Sequence, residues 1–213
     1  MANEKNKQRT VKLVQMALLT ALIFLMGFTP IGYLHVGVVE ITFLTIPVVI
    51  GAIVLGPTAG AILGGMFGLT SFLQCFGMSP FGAALLAINP WATLFICGIP
   101  RILMGWLSGV IFRAIAKIDR TRYVSFAAAS LSGAVLNTVF FMASLILLFG
   151  RTAYIQDMMT AMGTPNIFSF LIAFVGLNGL IEAIVCFVVG FAVSKALVRF
   201  SPANRLPESG EVK

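Results

Sequence analysis

Charge is what this chain has least of. Only 10% of its 213 residues are Asp, Glu, Lys or Arg, against about a quarter in soluble globular domains. Histidine occurs once, at His35, and the cysteines Cys75, Cys97 and Cys186 stand singly in apolar segments, with no C-x-x-C pair. No Cys/His metal site is expected, and the cysteines read as small apolar residues in helix packing. There is no G-x-x-x-x-G-K-[ST] loop to cradle ATP. One histidine excludes H-E-x-x-H, and a Ser–His pair would have to use His35, with no serine motif to mark a nucleophile. The few acids form no D-x-x-D cluster of the kind a magnesium-dependent lipid enzyme would need. No catalytic residue and no cofactor is therefore expected.

What fills the chain is apolar: 59% of residues are hydrophobic, and the mean hydropathy is +1.03. That composition predicts an all-α integral membrane protein. Apolar segments fall at roughly 12–30, 40–56, 58–76, 91–112, 124–149 and 167–198. Most reach the ~20 residues that cross a hydrocarbon core, so the fold expected is a six-transmembrane-helix bundle over 12–200. Gly56-Pro57 marks the turn between the second and third helices, with Pro57 in the first helical turn. A basic N-terminus (1–11) precedes the bundle and a polar tail (201–213) follows it. The basic start and apolar run superficially suit a signal peptide. The run is too long for one and lacks a cleavage motif, so it reads as a retained helix.

The net charge of +7 looks like a nucleic-acid signal until the charges are placed. Twelve of the 14 Lys and Arg fall in three groups of four. Lys5, Lys7, Arg9 and Lys12 precede the first helix; Arg113, Lys117, Arg120 and Arg122 separate the fourth and fifth; Lys195, Arg199, Arg205 and Lys213 end the chain. An even helix count puts all three on one side, and the positive-inside rule makes that side, with both termini, cytoplasmic. No nucleic acid is expected; the partner these charges face is the bilayer. The outward loops, roughly 31–39, 77–90 and 150–166, then carry Tyr33, His35 and Asn89, with a short helix expected between Thr152 and Met162.

Polar residues inside the helices mark the functional region. Arg101 lies about 11 residues, or ~16 Å, into the fourth helix, and Glu182 about 15 residues, or ~22 Å, into the sixth. Asn178 shares the face of Glu182 one turn away. With Asn137, Gln74 and Glu40, these residues predict a cavity opening outward, and Trp91 lies near it. A buried cation needs an anion, and two are on offer: the Glu182 carboxylate or an anionic cargo. Gly60, Gly64 and Gly68, with Gly105 and Gly109, form small-residue stripes for packing within the chain. Ala17 and Ala21 lie one turn apart on the first helix. Glu182 leaves a small proton-coupled secondary carrier open as an alternative, and an intramembrane lipid-modifying enzyme is a second.

Three stretches carry a family likeness: "MALLTALIFLMGFTPIGYL", "TFLTIPVVIGAIVLGPTAGAILGGMFGLTSF" and "FICGIPRILMGWLSGVIF". They resemble the substrate-binding S components of energy-coupling factor (ECF) vitamin transporters, over roughly 10–200. The resemblance implies a bacterial plasma-membrane protein with a vitamin pocket beneath the outer loops. It also implies docking through Ala17 and Ala21 on a transmembrane T component that sits on two ATPase subunits, which accounts for the missing phosphate loop. Within the family the wording is most like the pantothenate-type group, and riboflavin- and pyridoxine-type proteins share much of the framework. Pantothenate carries a carboxylate, hydroxyls and an amide, which suits a deep cation among Asn and Gln.

Overall fold

The computed structural model of the chain describes residues 2–29, 32–36, 39–119 and 123–200. The elements run α1 (Ala2–Gly27), β1 (Tyr33–Val36), β2 (Val39–Thr42), α2 (Thr45–Val54), α3 (Pro57–Gln74), α4 (Pro80–Ile88), α5 (Pro90–Ala116), α6 (Tyr123–Phe149), α7 (Ala153–Ala161) and α8 (Ile167–Phe200). Among the described residues, three helices are long and apolar enough to cross a membrane: residues Asn6–Gly27 of α1, α5 and α6. The chain is a helical membrane protein.

Several boundaries differ from the sequence expectation, each for a local reason. α1 starts at Ala2 and absorbs most of the expected basic N-terminal segment. Ala, Glu, Lys, Gln and Arg are good helix formers, and neither Gly nor Pro interrupts them. The second helix was expected from residue 40 but begins at Thr45. The β-branched residues before it pair instead into an antiparallel hairpin, with Tyr33 opposite Thr42 and His35 opposite Glu40. At 10 residues, α2 rises only about 15 Å.

The expected loop 77–90 contains α4, nine residues long. Its start signals are legible: Ser79 caps it by accepting from the Gly82 amide at 3.1 Å, with Pro80 in the first turn. α7 forms where a short helix was expected. Gly56 turns the chain with φ +105, which only glycine adopts without strain, and Pro57 opens α3 as expected. The tail 201–213 lies outside the described residues.

The α3–α5 contact is the most extensive in the bundle. Its two helices meet through backbone. A Cβ on Gly60 would strike the Gly105 carbonyl, one on Gly64 the Arg101 carbonyl, and one on Gly68 would lie 2.7 Å from the Cys97 carbonyl. The spacing of four on one helix meets a spacing of four on the other, and in lipid such close backbone approach supplies the packing energy. The stripe therefore serves contacts inside the chain.

Two apolar clusters result. One gathers Val48, Val49, Leu63, Phe67, Met104 and Phe126, and the other gathers Leu85, Ile96, Met142, Leu145, Phe149 and Phe170 beneath α4 and α7.

Candidate functional site

A cavity of about 140 Å³ is lined by residues of both clusters. Each water-sized group needs roughly 10–15 Å³ of such space, so it has room for about ten of them, the scale of a small organic molecule rather than an ion. Its walls come from β1 and β2 (Tyr33, Thr42), α3 (Phe67, Ser71, Gln74), α4 (Phe81, Leu85), α5 (Thr93, Ile96, Cys97, Arg101), α6 (Asn137, Thr138, Phe141, Met142) and α8 (Gly179, Glu182).

Arg101 is 8% exposed, and its setting begins with the residue before it. Pro100 lies inside α5 and has no N–H, so the carbonyl four residues back, that of Ile96, loses its helical partner. The Arg101 guanidinium turns back along its own helix and donates Nη1 to that Ile96 carbonyl. The guanidinium carbon sits over two negative ring faces, 5.3 Å from the Phe67 ring centre and 4.9 Å from that of Phe141. Nε, also buried, has no hydrogen-bond partner among the described residues.

Glu182, 7% exposed, does not pair with it. Among the described residues no ion pair joins Arg101 to a carboxylate. Glu182 Oε1 instead accepts from Thr45 Oγ1 at 2.9 Å and from Asn137 Nδ2 at 3.1 Å. Neutral donors hold the acid, and rings with one carbonyl hold the cation, so the opposite charges face one cavity without cancelling. Asn137 Oδ1 is buried and also lacks a partner among the described residues.

Of the other expected site residues, Gln74 lines the cavity while donating Nε2 to the Gly27 carbonyl, which ties α3 to the end of α1. Tyr33 lines it and hydrogen-bonds through its hydroxyl with Ser71 Oγ at 3.3 Å. Asn89 and Trp91 are not brought in. Asn89 is spent as the N-cap of α5, accepting from the Ala92 amide at 3.1 Å. Trp91 is 80% exposed in the first turn of α5, the position of an interfacial anchor. The side chains of His35 and Asn178 lie outside the described residues. Ala17 and Ala21 are exposed on α1 beside Leu13, Leu18 and Leu25, so the described residues leave that face uncovered. Among the described residues no three metal-ligating side chains converge.

Sequence reasoning missed Phe67, Phe141 and Thr45. Phe141 is one turn from Asn137, and Phe67, Ser71 and Gln74 recur at helical spacing, so a same-face search from the polar residues finds both rings. Thr45 was hidden by the misplaced start of α2.

Comparison with known proteins decides the family. Residues 11–194 match the model of the substrate-specific component of ECF transporters. The chain belongs to that family. It is 30% identical over 202 residues to the pantothenate transporter PanT of Leuconostoc mesenteroides subsp. mesenteroides, covering 93% of this chain and 95% of that one. It is 34% identical over 172 residues to the pantothenic acid transporter PanT of Lactococcus lactis subsp. cremoris, covering 76% of this chain and 79% of that one. The S component is a transport subunit and not an enzyme, which sets aside the lipid-modifying alternative.

Proposed function

We propose that this S component captures pantothenate in the cavity between α3, α5, α6 and α8 and delivers it to an ECF module. The observation that carries the reading is that, of three buried side-chain atoms without a hydrogen-bond partner among the described residues, Arg101 Nε and Asn137 Oδ1 belong to residues lining the cavity and only Ser130 Oγ does not. Buried polar groups are rarely left without partners, and both residues line the cavity. The guanidinium takes the vitamin carboxylate, and Asn137 Oδ1 accepts from an amide or hydroxyl of the cargo. Glu182, steadied at Oε1 by Thr45 and Asn137, offers its second oxygen to a cargo hydroxyl. The two relatives named as pantothenate transporters support the choice of vitamin.

In this reading six helices span the plasma membrane: α1, the short α2 with α3, α5, α6 and α8. Both termini and the basic segments are cytoplasmic, and the hairpin, α4 and α7 cover the cavity from outside. The exposed Ala17/Ala21 face of α1 docks on the T component, and two ATPase subunits hydrolyse ATP.

Mass spectrometry of the detergent-solubilised protein tests the cargo: pantothenate should copurify and be displaced by excess unlabelled pantothenate. Copurification of riboflavin or pyridoxine instead would overturn the choice of vitamin. Replacing Ala17 or Ala21 by Trp tests docking, since a bulky ring cannot enter a small-residue contact. Binding should survive while ATP-driven uptake by the assembled module is lost; normal uptake would remove this face from the docking surface.

A further inference from the structure

A second chemistry sits in the wall of the same cavity. Cys75 Sγ and Cys97 Sγ are 4.0 Å apart, and both residues line the cavity. Neither is in a disulfide. They come from different helices: Cys97 from the first half of α5, one turn before Arg101, and Cys75 from the C-cap of α3. In sequence they are 22 residues apart and show no pairing motif; only the antiparallel docking of α3 on α5 brings them together.

The two ends of this contact differ in freedom. Cys97 belongs to the segment of α5 whose backbone is set against Gly68. Cys75 stands where α3 stops, its thiol donating to the Ser71 carbonyl at 3.3 Å, two residues before Gly77 turns the chain at φ +122. Over its sulfur lies Gly82 of α4, where a Cβ would approach Cys75 Sγ to 2.7 Å. A disulfide needs the sulfurs about 2 Å closer, at about 2.05 Å. Cys75, at the end of its helix and beneath a residue without a side chain, is the partner able to make that movement.

We propose that Cys75 and Cys97 are a redox-sensitive pair, reached by small oxidants through the cavity, whose closure to a disulfide narrows the cavity and weakens cargo binding. The oxidant class is a hydroperoxide. One thiolate attacks the peroxide oxygen, the O–O bond breaks, and a sulfenic acid forms while the other oxygen leaves as water. The second thiol then attacks the sulfenic sulfur and expels a second water. Two S–H bonds are lost, one S–S bond is made, and hydrogen peroxide is reduced to two waters. Both thiols are shielded from bulk solvent (4% and 6% exposed), so access runs through the cavity and depends on size. Peroxide, with two heavy atoms, enters; a maleimide on a polymer chain, larger than the cavity, does not. Cys186, whose thiol donates to the Ser130 carbonyl at 3.2 Å away from this cavity, is the internal control.

The test uses the full chain in nanodiscs, exposed to graded hydrogen peroxide, acid-quenched, denatured, and mapped by mass spectrometry with maleimide counting of the remaining thiols. The expected product has lost two hydrogens, retains the Cys186 thiol, links the Cys75 and Cys97 peptides, and is reversed by dithiothreitol. Pantothenate present beforehand should slow the linkage. C186S should link like the unaltered chain, and C75S and C97S should not link. Mapping the unaltered chain makes the outcome independent of whether a variant folds. Three surviving thiols, at a peroxide dose that consumes free cysteine in the same buffer, would overturn the proposal, as would a link through Cys186 or between chains. The effect on cargo rests on the vitamin reading: pantothenate affinity should fall by about tenfold, one step of 1.4 kcal/mol, and return on reduction. An unchanged affinity in the linked protein would refute the narrowing. Failure of the reduced protein to bind pantothenate would count against the vitamin reading alone, because the thiol count scores the pair without cargo.

Discussion

Toward α3, helix α5 presents backbone: the carbonyls of Gly105, Arg101 and Cys97 lie against Gly60, Gly64 and Gly68. Toward α6 and α8 it contributes side chains to a cavity of mixed lining, where Arg101 shares the space with Asn137 and Glu182. The first surface leaves no room for an added carbon. The second leaves room for a molecule and keeps a donor and an acceptor unsatisfied. Arg101 belongs to both, its carbonyl in one and its guanidinium in the other. On the proposed reading the guanidinium holds cargo, and the glycine contact sets the backbone that carries it independently of that cargo.

The sharpest way to break the contrast is to fill the tight surface. Gly64→Leu would drive a side chain into the Arg101 carbonyl, a backbone atom that cannot rotate away. Overpacking typically costs 1–3 kcal/mol where side chains can yield, so about 3 kcal/mol or more is expected here. Thermal unfolding in detergent should show a large loss of stability, with binding lost too; a normal unfolding temperature would mean the helices do not meet at this glycine.

Next in size is the guanidinium itself. Arg101→Ala should reduce pantothenate affinity by about 2–5 kcal/mol, the usual loss for a buried charge partner. Stability without cargo should change much less, because Glu182 keeps both its neutral donors. Titration calorimetry and unfolding of the cargo-free protein separate the two quantities. If Arg101→Ala destabilises the empty protein strongly and Glu182→Gln rescues it, the two residues are coupled as an ion pair after all.

The smallest effect should come from Pro100→Ala, which sharpens the comparison because it touches only the orientation of Arg101. An alanine N–H returns to the Ile96 carbonyl its helical partner and displaces Arg101 Nη1. The empty protein should become slightly more stable, since proline in a helix interior is unfavourable. Affinity should fall by roughly fivefold, the worth of about one hydrogen bond. Loss of both stability and affinity would make Pro100 a packing residue instead.

Much of this was legible in the one-dimensional pattern. The apolar runs predict the long helices because a segment crossing lipid must be long and carry its own hydrogen bonds. Gly56-Pro57 marks its turn because φ +105 and a missing N–H are properties of those two residues alone. α4 was overlooked because nine apolar residues are too few to cross a bilayer, although Ser79-Pro80 and Asn89-Pro90 flank it with start signals. Trp91 and Asn89 illustrate the limit on the site: proximity along the chain to the cavity does not say which way a first-turn residue points, and one became a cap and the other faces out.

By itself, then, the sequence determined the class of protein, the long helices, the turn at Gly56, the family and the presence of a cation and an acid within apolar segments. These follow from composition, period and local backbone chemistry, which act over a few residues. Only the tertiary structure decided that the cation and the acid stay apart, that Phe67 and Phe141 lie against the guanidinium, that Thr45 and Asn137 hold the carboxylate, and that Cys75 meets Cys97. Each of those depends on how helices distant in sequence are rotated and slid against one another. That register is set by the close fit of backbone against glycine, and no stretch of sequence read alone contains both sides of that fit.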